Sequence, residues 1–146
     1  GDMSQSASAL QHMVRLAQRL STAFEAAVGM HLARWRILNH LHEHGASTQK
    51  HMKTLIGVDA AALTRQLQLL EAEGLVRRRS HPDDQRLTEV ALTAAGTDRL
   101  AAGRVARDAF VARLLAGLDA EALAAFEATL AHIGRNLDAR TQEPDA

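Results

Sequence analysis

A mainly α-helical chain carrying one small β-hairpin is the fold class that this sequence predicts, and three observations predict it. Apolar residues recur at three- and four-residue steps through most of the 146 residues, the period of amphipathic helices. Between Gly74 and Thr93 the period falls to two on either side of a polar turn. Aromatic residues are only 3% of the chain while Ala and Leu abound, a composition that favours helices over sheets.

The elements follow in order. From about Ser8 to Val28, Leu10, Met13, Val14, Ala17, Leu20 and Phe24 form one stripe, closed by Gly29. A second helix spans about Arg34 to Glu43, with Trp35, Leu38 and Leu41 on one face and Gly45 as its stop. Thr48 suits the N-cap of a short third helix holding Met52, Leu55 and Ile56 and ending at Gly57. Asp59 caps a fourth, Ala60 to Glu73, with Leu63, Leu67 and Leu70 inward and Gly74 at its end. Leu75–Arg79 and Leu87–Leu92 read as strands, joined by Ser80–Gln85, whose Pro and Asp residues favour a turn. Thr93 caps a fifth helix to about Ala116, Gly117 breaks it, and Asp119 caps a sixth from Ala120 to about Ala139, with Thr141 to Ala146 as a frayed tail.

Composition narrows the function classes. A hydrophobic share of 47% with 23% charged residues fits a folded domain of ordinary size. The absence of cysteine excludes disulfides and thiolate chemistry. No apolar run reaches the roughly 18–20 residues that span a bilayer, and the N-terminus has no signal-peptide pattern, so no membrane partner and a cytoplasmic location are expected. There is no Gly-rich phosphate loop, no G-x-S-x-G elbow and no tyrosine, so the chain is not expected to be an enzyme, and no cofactor is expected.

Net charge is zero, so any affinity for nucleic acid must come from local clusters, because phosphate contacts are local. The third and fourth helices are separated by little more than Gly57-Val58, the tight connection of a helix-turn-helix. In that motif the start of the second helix enters the major groove. Here it presents Ala60, Ala61 and Ala62, small enough for close approach, then Thr64, Arg65 and Gln68, which can reach base edges or phosphates. Taken singly, Arg65 and Gln68 are better explained as solvated positions on an amphipathic helix. The hairpin adds Arg77, Arg78 and Arg79 and a tip ending in Arg86, a basic wing able to lay a guanidinium in the minor groove. Helix, turn, helix and basic wing in succession point to double-stranded DNA as a partner.

Three segments carry a resemblance. They are Gly74-Leu75-Val76-Arg77-Arg78, then His81-Pro82-Asp83-Asp84-Gln85-Arg86, then Leu92-Thr93-Ala94-Ala95-Gly96, set behind Trp35-Arg36-Ile37-Leu38. The chain resembles the MarR family of bacterial regulators, whose pattern runs G-L-[VI]-x-R, D-x-R and L-T-x-x-G. The resemblance implies a winged helix-turn-helix subunit over 1–146. Residues 32–92 or so would form the DNA-binding lobe, and about 6–29 and 94–139 dimerisation helices. It makes Arg86 the minor-groove arginine, with Arg77 and Arg79 beside it, and Asp84 the carboxylate that orients the wing through Arg78 or Arg86. It also implies a repressor released by a small aromatic or anionic ligand, in a crevice that would involve His12, Met13, Leu16, His31, Arg34 and Trp35. Ordinary core packing is the better explanation of Met13, Leu16 and Trp35. Three departures stand out. Lys53 occupies a usually small position, no Ser or Thr caps the second helix near Leu32-Ala33, and the three alanines leave few side-chain donors.

Phe110, Leu114, Leu115, Leu123, Phe126, Leu130 and Ile133 offer more apolar surface than one small reader can bury, which predicts a homodimer. His40 and His44 stand at i,i+4 beside His42 and Glu43, yet a functional metal site needs three or four convergent ligands, and none is expected. A metal-responsive regulator of the same fold and a helical adaptor that does not bind DNA are the alternatives.

Overall fold

The computed structural model describes residues 3–56 and 59–142, with α1 (Met3–Val28), α2 (Leu32–His44), β1 (Ser47–Thr48), α3 (Gln49–Ile56), α4 (Ala60–Ala72), β2 (Val76–Ser80), β3 (Thr88–Leu92), α5 (Ala94–Leu114) and α6 (Ala120–Gln142). The Gly57-Val58 connection, the Leu55 side chain and the end of the expected frayed tail lie outside the described residues.

Helix ends fall where local chemistry puts them. Asp59 Oδ1 accepts from the Ala62 N–H at 2.8 Å, Asp119 Oδ1 accepts from Ala122 at 2.8 Å, and Thr48 Oγ1 accepts from His51 at 3.1 Å. The missing Ser or Thr of α2 is replaced by His31, whose Nδ1 accepts from the Ala33 N–H at 3.1 Å. Gly29, Gly45, Gly74 and Gly117 take positive φ at the expected helix ends.

Most element ends shift by one or two residues from expectation, and three differences are larger or new. α1 begins at Met3, because Ser and Ala upstream of the apolar stripe are adequate helix formers. α6 continues through Thr141 and Gln142. Ser47-Thr48 forms a two-residue strand, pairing Ser47 with Val90 and Thr48 with Glu89, so the hairpin becomes a three-stranded antiparallel sheet of order β1-β3-β2. Two residues are too few for an alternating pattern, so no sequence signal marked them.

The chain divides into two compact units, Gly1–Phe110 and Val111–Ala146, with the boundary inside α5. In the first, Leu38, Met52, Leu67, Leu70 and Val90 are wholly buried, and α4 supplies Leu63, Leu67 and Leu70 from one face. α1 and α5 add Phe24, Val28, Leu100 and Phe110 to this same core, so the helices expected to dimerise also help hold the reader. Trp35 meets Phe24 edge-on at 5.9 Å, and Phe24 meets Phe110 at 5.6 Å and 90°. Gly103 lies against the indole; a Cβ there would stand 2.5 Å from Trp35 Cζ3. In the second unit α6 buries no described residue fully, and Phe126, Leu130 and Leu137 remain exposed.

Candidate nucleic-acid interface

Because Leu63, Leu67 and Leu70 turn inward, α4 presents Ala60, Ala61, Arg65 and Gln68 on its exposed side. Ala62 and Thr64 are half-buried, and Thr64 Oγ1 accepts from Gln49 Nε2 at 2.8 Å. Thr64 therefore ties α4 to the start of α3, and its hydroxyl proton remains available to an acceptor outside. The Asp59 cap leaves the positive end of the α4 dipole at the same exposed tip.

Pairing of Arg78 with Val90 and of Arg79 with Glu89 fixes which arginines face outward. Arg78 lies on the side of Val76 and Val90, which are buried. Its backbone N–H and its guanidinium both donate to Glu71 of α4, at 2.9 and 3.1 Å. Glu71 is held below its ordinary carboxylate value chiefly by the hydrogen bond from the Arg78 side chain. Arg78 thus fastens the wing to the end of α4. Arg79 and Arg77 are exposed on the opposite face, where Arg79 pairs with Glu89 at 2.9 Å.

At the tip, of the two partners expected for Asp84, Arg86 is the one that it takes. Oδ1 accepts from the Arg86 N–H and Nε, each at 3.0 Å, and Oδ2 accepts from Nη2 at 3.1 Å. The Arg86 side chain is nevertheless 90% exposed, so the clamp aims the guanidinium without covering it. The same hydrogen bonds hold Asp84 below its ordinary carboxylate value and raise Arg86. Because the folded carboxylate titrates below its unfolded counterpart, the clamp is complete above the ordinary value and is lost as pH falls through the depressed one. We expect the Arg86 Nε–H resonance to stay protected from neutral pH down to the ordinary carboxylate range of about 4, and to broaden only below it. Broadening well above that range would refute the clamp.

Between wing and helices lies a notch lined by Gln49, Lys50, Lys53, Ala60, Leu63, Arg86, Leu87 and Thr88. Lys50 and Lys53, both exposed, were not among the candidate contacts expected from the sequence. Lys53 had stood out as a departure in α3; the fold turns it outward, beside Arg86. Its signal was positional, since a charge in place of a small residue needs an exit to solvent.

The expected ligand crevice is not gathered in the single chain. Trp35 is core, His31 is the α2 cap, and Arg34 is paired with Glu73. His12, Met13 and Leu16 lie exposed on α1. Among the described residues no helix is long and apolar enough to cross a membrane.

A helix-turn-helix pair, a basic wing and a shared cationic notch define a winged helix-turn-helix regulator. The profile of the MarR family matches residues 30–88. A Bacillus subtilis protein described as an uncharacterized HTH-type transcriptional regulator, YdgJ, is 31% identical over 119 residues, 82% of this chain and 73% of that protein. The fold is shared with E. coli MarR, in a variant complexed with operator DNA (22% identity, 91% and 99% of the two chains, TM-score 0.80). It is shared equally with the Streptomyces coelicolor regulator PcaV in complex with its natural ligand (20% identity, 92% and 96% covered, TM-score 0.81). The chain belongs to the MarR family; it is a DNA-binding transcription regulator and not an enzyme.

Proposed function

We propose that this protein is a homodimeric repressor that grips a pseudo-palindromic operator through α4 and the wing and is released by a small aromatic or anionic ligand. The observation that carries the reading is the Asp84–Arg86 clamp, which presents an exposed guanidinium beside the cationic notch at the tip of α4. Arg86 and the outward Arg77 and Arg79 supply minor-groove and phosphate contacts, and Lys50 and Lys53 add phosphate contacts between wing and helix. Ala60, Ala61, Ala62, Thr64, Arg65 and Gln68 form the major-groove set, with Thr64 acting through its remaining hydroxyl proton.

The exposed apolar residues of α1 and α6 support the dimer. Phe126 and Leu130 stay about half exposed in one chain, and leaving such a stripe wet is unfavourable at roughly 25 cal/mol per Å2. A two-fold dimer that reads a pseudo-palindrome places its two α4 helices about 34 Å apart, one turn of DNA. We expect Leu130→Ser to raise the dimer dissociation constant about 10- to 100-fold, since each of two subunits loses the burial of a half-exposed leucine, read by sedimentation equilibrium. The ligand-bound relative supports an effector. His12, Met13 and Leu16 would line its site once the partner subunit supplies the facing wall.

The test is fluorescence anisotropy with duplexes tiled across the promoter upstream of the protein's own coding sequence, at several salt concentrations. Tight binding to one pseudo-palindrome is expected, weakening steeply with salt. Lys53→Ala should reduce the log–log salt slope by roughly one per subunit without changing sequence preference. Flat titrations at low salt on every duplex, with and without aromatic acids, would sink the reading.

A further inference from the structure

His40 and His44 of α2 are joined in space by His51 of α3, which no local spacing groups with them. The His40 and His44 rings are 4.7 Å apart between centroids, and the His40 and His51 rings 6.4 Å. They line one open pocket with Ala46, Ser47 and Thr48. We propose that these three histidines form a binding site for a divalent transition metal of the zinc class, bridging α2 and α3.

The spacing suits the chemistry. Imidazole nitrogens at about 2.0–2.1 Å from a tetrahedral ion place their ring centroids about 5 Å apart, between the two separations seen. Among the described residues no three such side chains already stand in ligand geometry. Both His44 and His51 are exposed, so their rings can turn about their side-chain bonds toward a shared ion.

Polar groups beside the rings favour it further. The Ser47 Oγ lies 3.3 Å from His40 Nε2, within hydrogen-bond reach of the ring. Glu43 Oε2 stands 4.0 Å from His44 Nε2. Hydroxyl and carboxylate partners on the far nitrogen are what orient metal-ligating imidazoles. Three nitrogens leave the fourth position to water.

The experiment uses the full chain, freed of any purification tag and stripped with chelator, titrated with Zn2+ against a chromophoric chelator and with Co2+ by visible absorption. One ion per chain is expected, with the Co2+ bands of a four-coordinate site. His44→Gln and His51→Gln should each weaken affinity at least about tenfold, with circular dichroism unchanged because both rings are exposed. His42→Gln, on the same helix but outside the cluster, should leave affinity as it was. Less than one ion per chain, or equal affinity in His51→Gln, would overturn the site. The measurement contains no DNA, so its failure is separate from failure of the operator reading.

Discussion

Arg86→Ala is expected to lower operator affinity at least about 30-fold, because one well-placed guanidinium contact of about 1–3 kcal/mol is lost in each of two half-sites. The side chain is almost fully exposed and its partners lie within the tip, so truncation leaves the core intact. Thermal stability should therefore stay within about 0.5 kcal/mol of the parent. Arg86→Lys is the informative companion. It keeps the charge but cannot make the two parallel bonds to Asp84, so it should bind between parent and alanine variant. Anisotropy on the same duplex reads both. Affinity unchanged in Arg86→Ala would remove the wing from the interface and leave α4 and the notch as the reader.

The largest stability effect is expected at Gly96. A Cβ built there would sit 2.1 Å from the Leu75 carbonyl oxygen and 2.7 Å from Leu92 Cδ1. Backbone cannot swing aside as a long side chain can, and this backbone is fixed from both ends. Thr93 Oγ1 donates to the Gly74 carbonyl at 2.6 Å and accepts from the Gly96 N–H at 3.0 Å, while the Thr93 N–H donates to Leu75 O at 3.1 Å. Thr93 and Gly96 thus lock the start of α5 against the end of α4 and the entry to β2. Gly96→Ala should destabilise by about 3 kcal/mol, the upper part of the range for overpacking. That lowers the thermal midpoint by about 10 °C for a chain of this size. An unchanged midpoint would mean that α5 can slide off the strand entry without loss. This contact also gives the L-T-x-x-G segment a physical meaning: threonine caps, and glycine permits the approach.

Much of the fold was legible because its signals are local. Asp59, Thr93 and Asp119 are short acceptors immediately before apolar-periodic segments, and a cap needs no more than its own turn. The positive-φ glycines mark helix ends for the same reason. Alternation around Pro82 to Arg86 gave the hairpin, and the zero net charge did not hide its arginines, since they cluster within a few residues. The resemblance identified the family from segments that belong to this lobe.

The order of elements, the inward face of α4 and the identity of the wing follow from residue order alone, because each is set within single turns or neighbouring strands. Which arginine does what depends on how the elements pack. Register turns Arg78 toward Glu71 of α4 and sends Arg77 and Arg79 to the other face, while Asp84 chooses Arg86 because two residues of turn bring the fork within reach. Packing also dictates that Trp35 and His31 serve the core and a helix cap, that Lys53 joins the notch, and that His51 meets His40. Each of these depends on where two elements cross. A side chain's partner across such a crossing is fixed by packing of buried leucines far from it in sequence, and no local period records that distance.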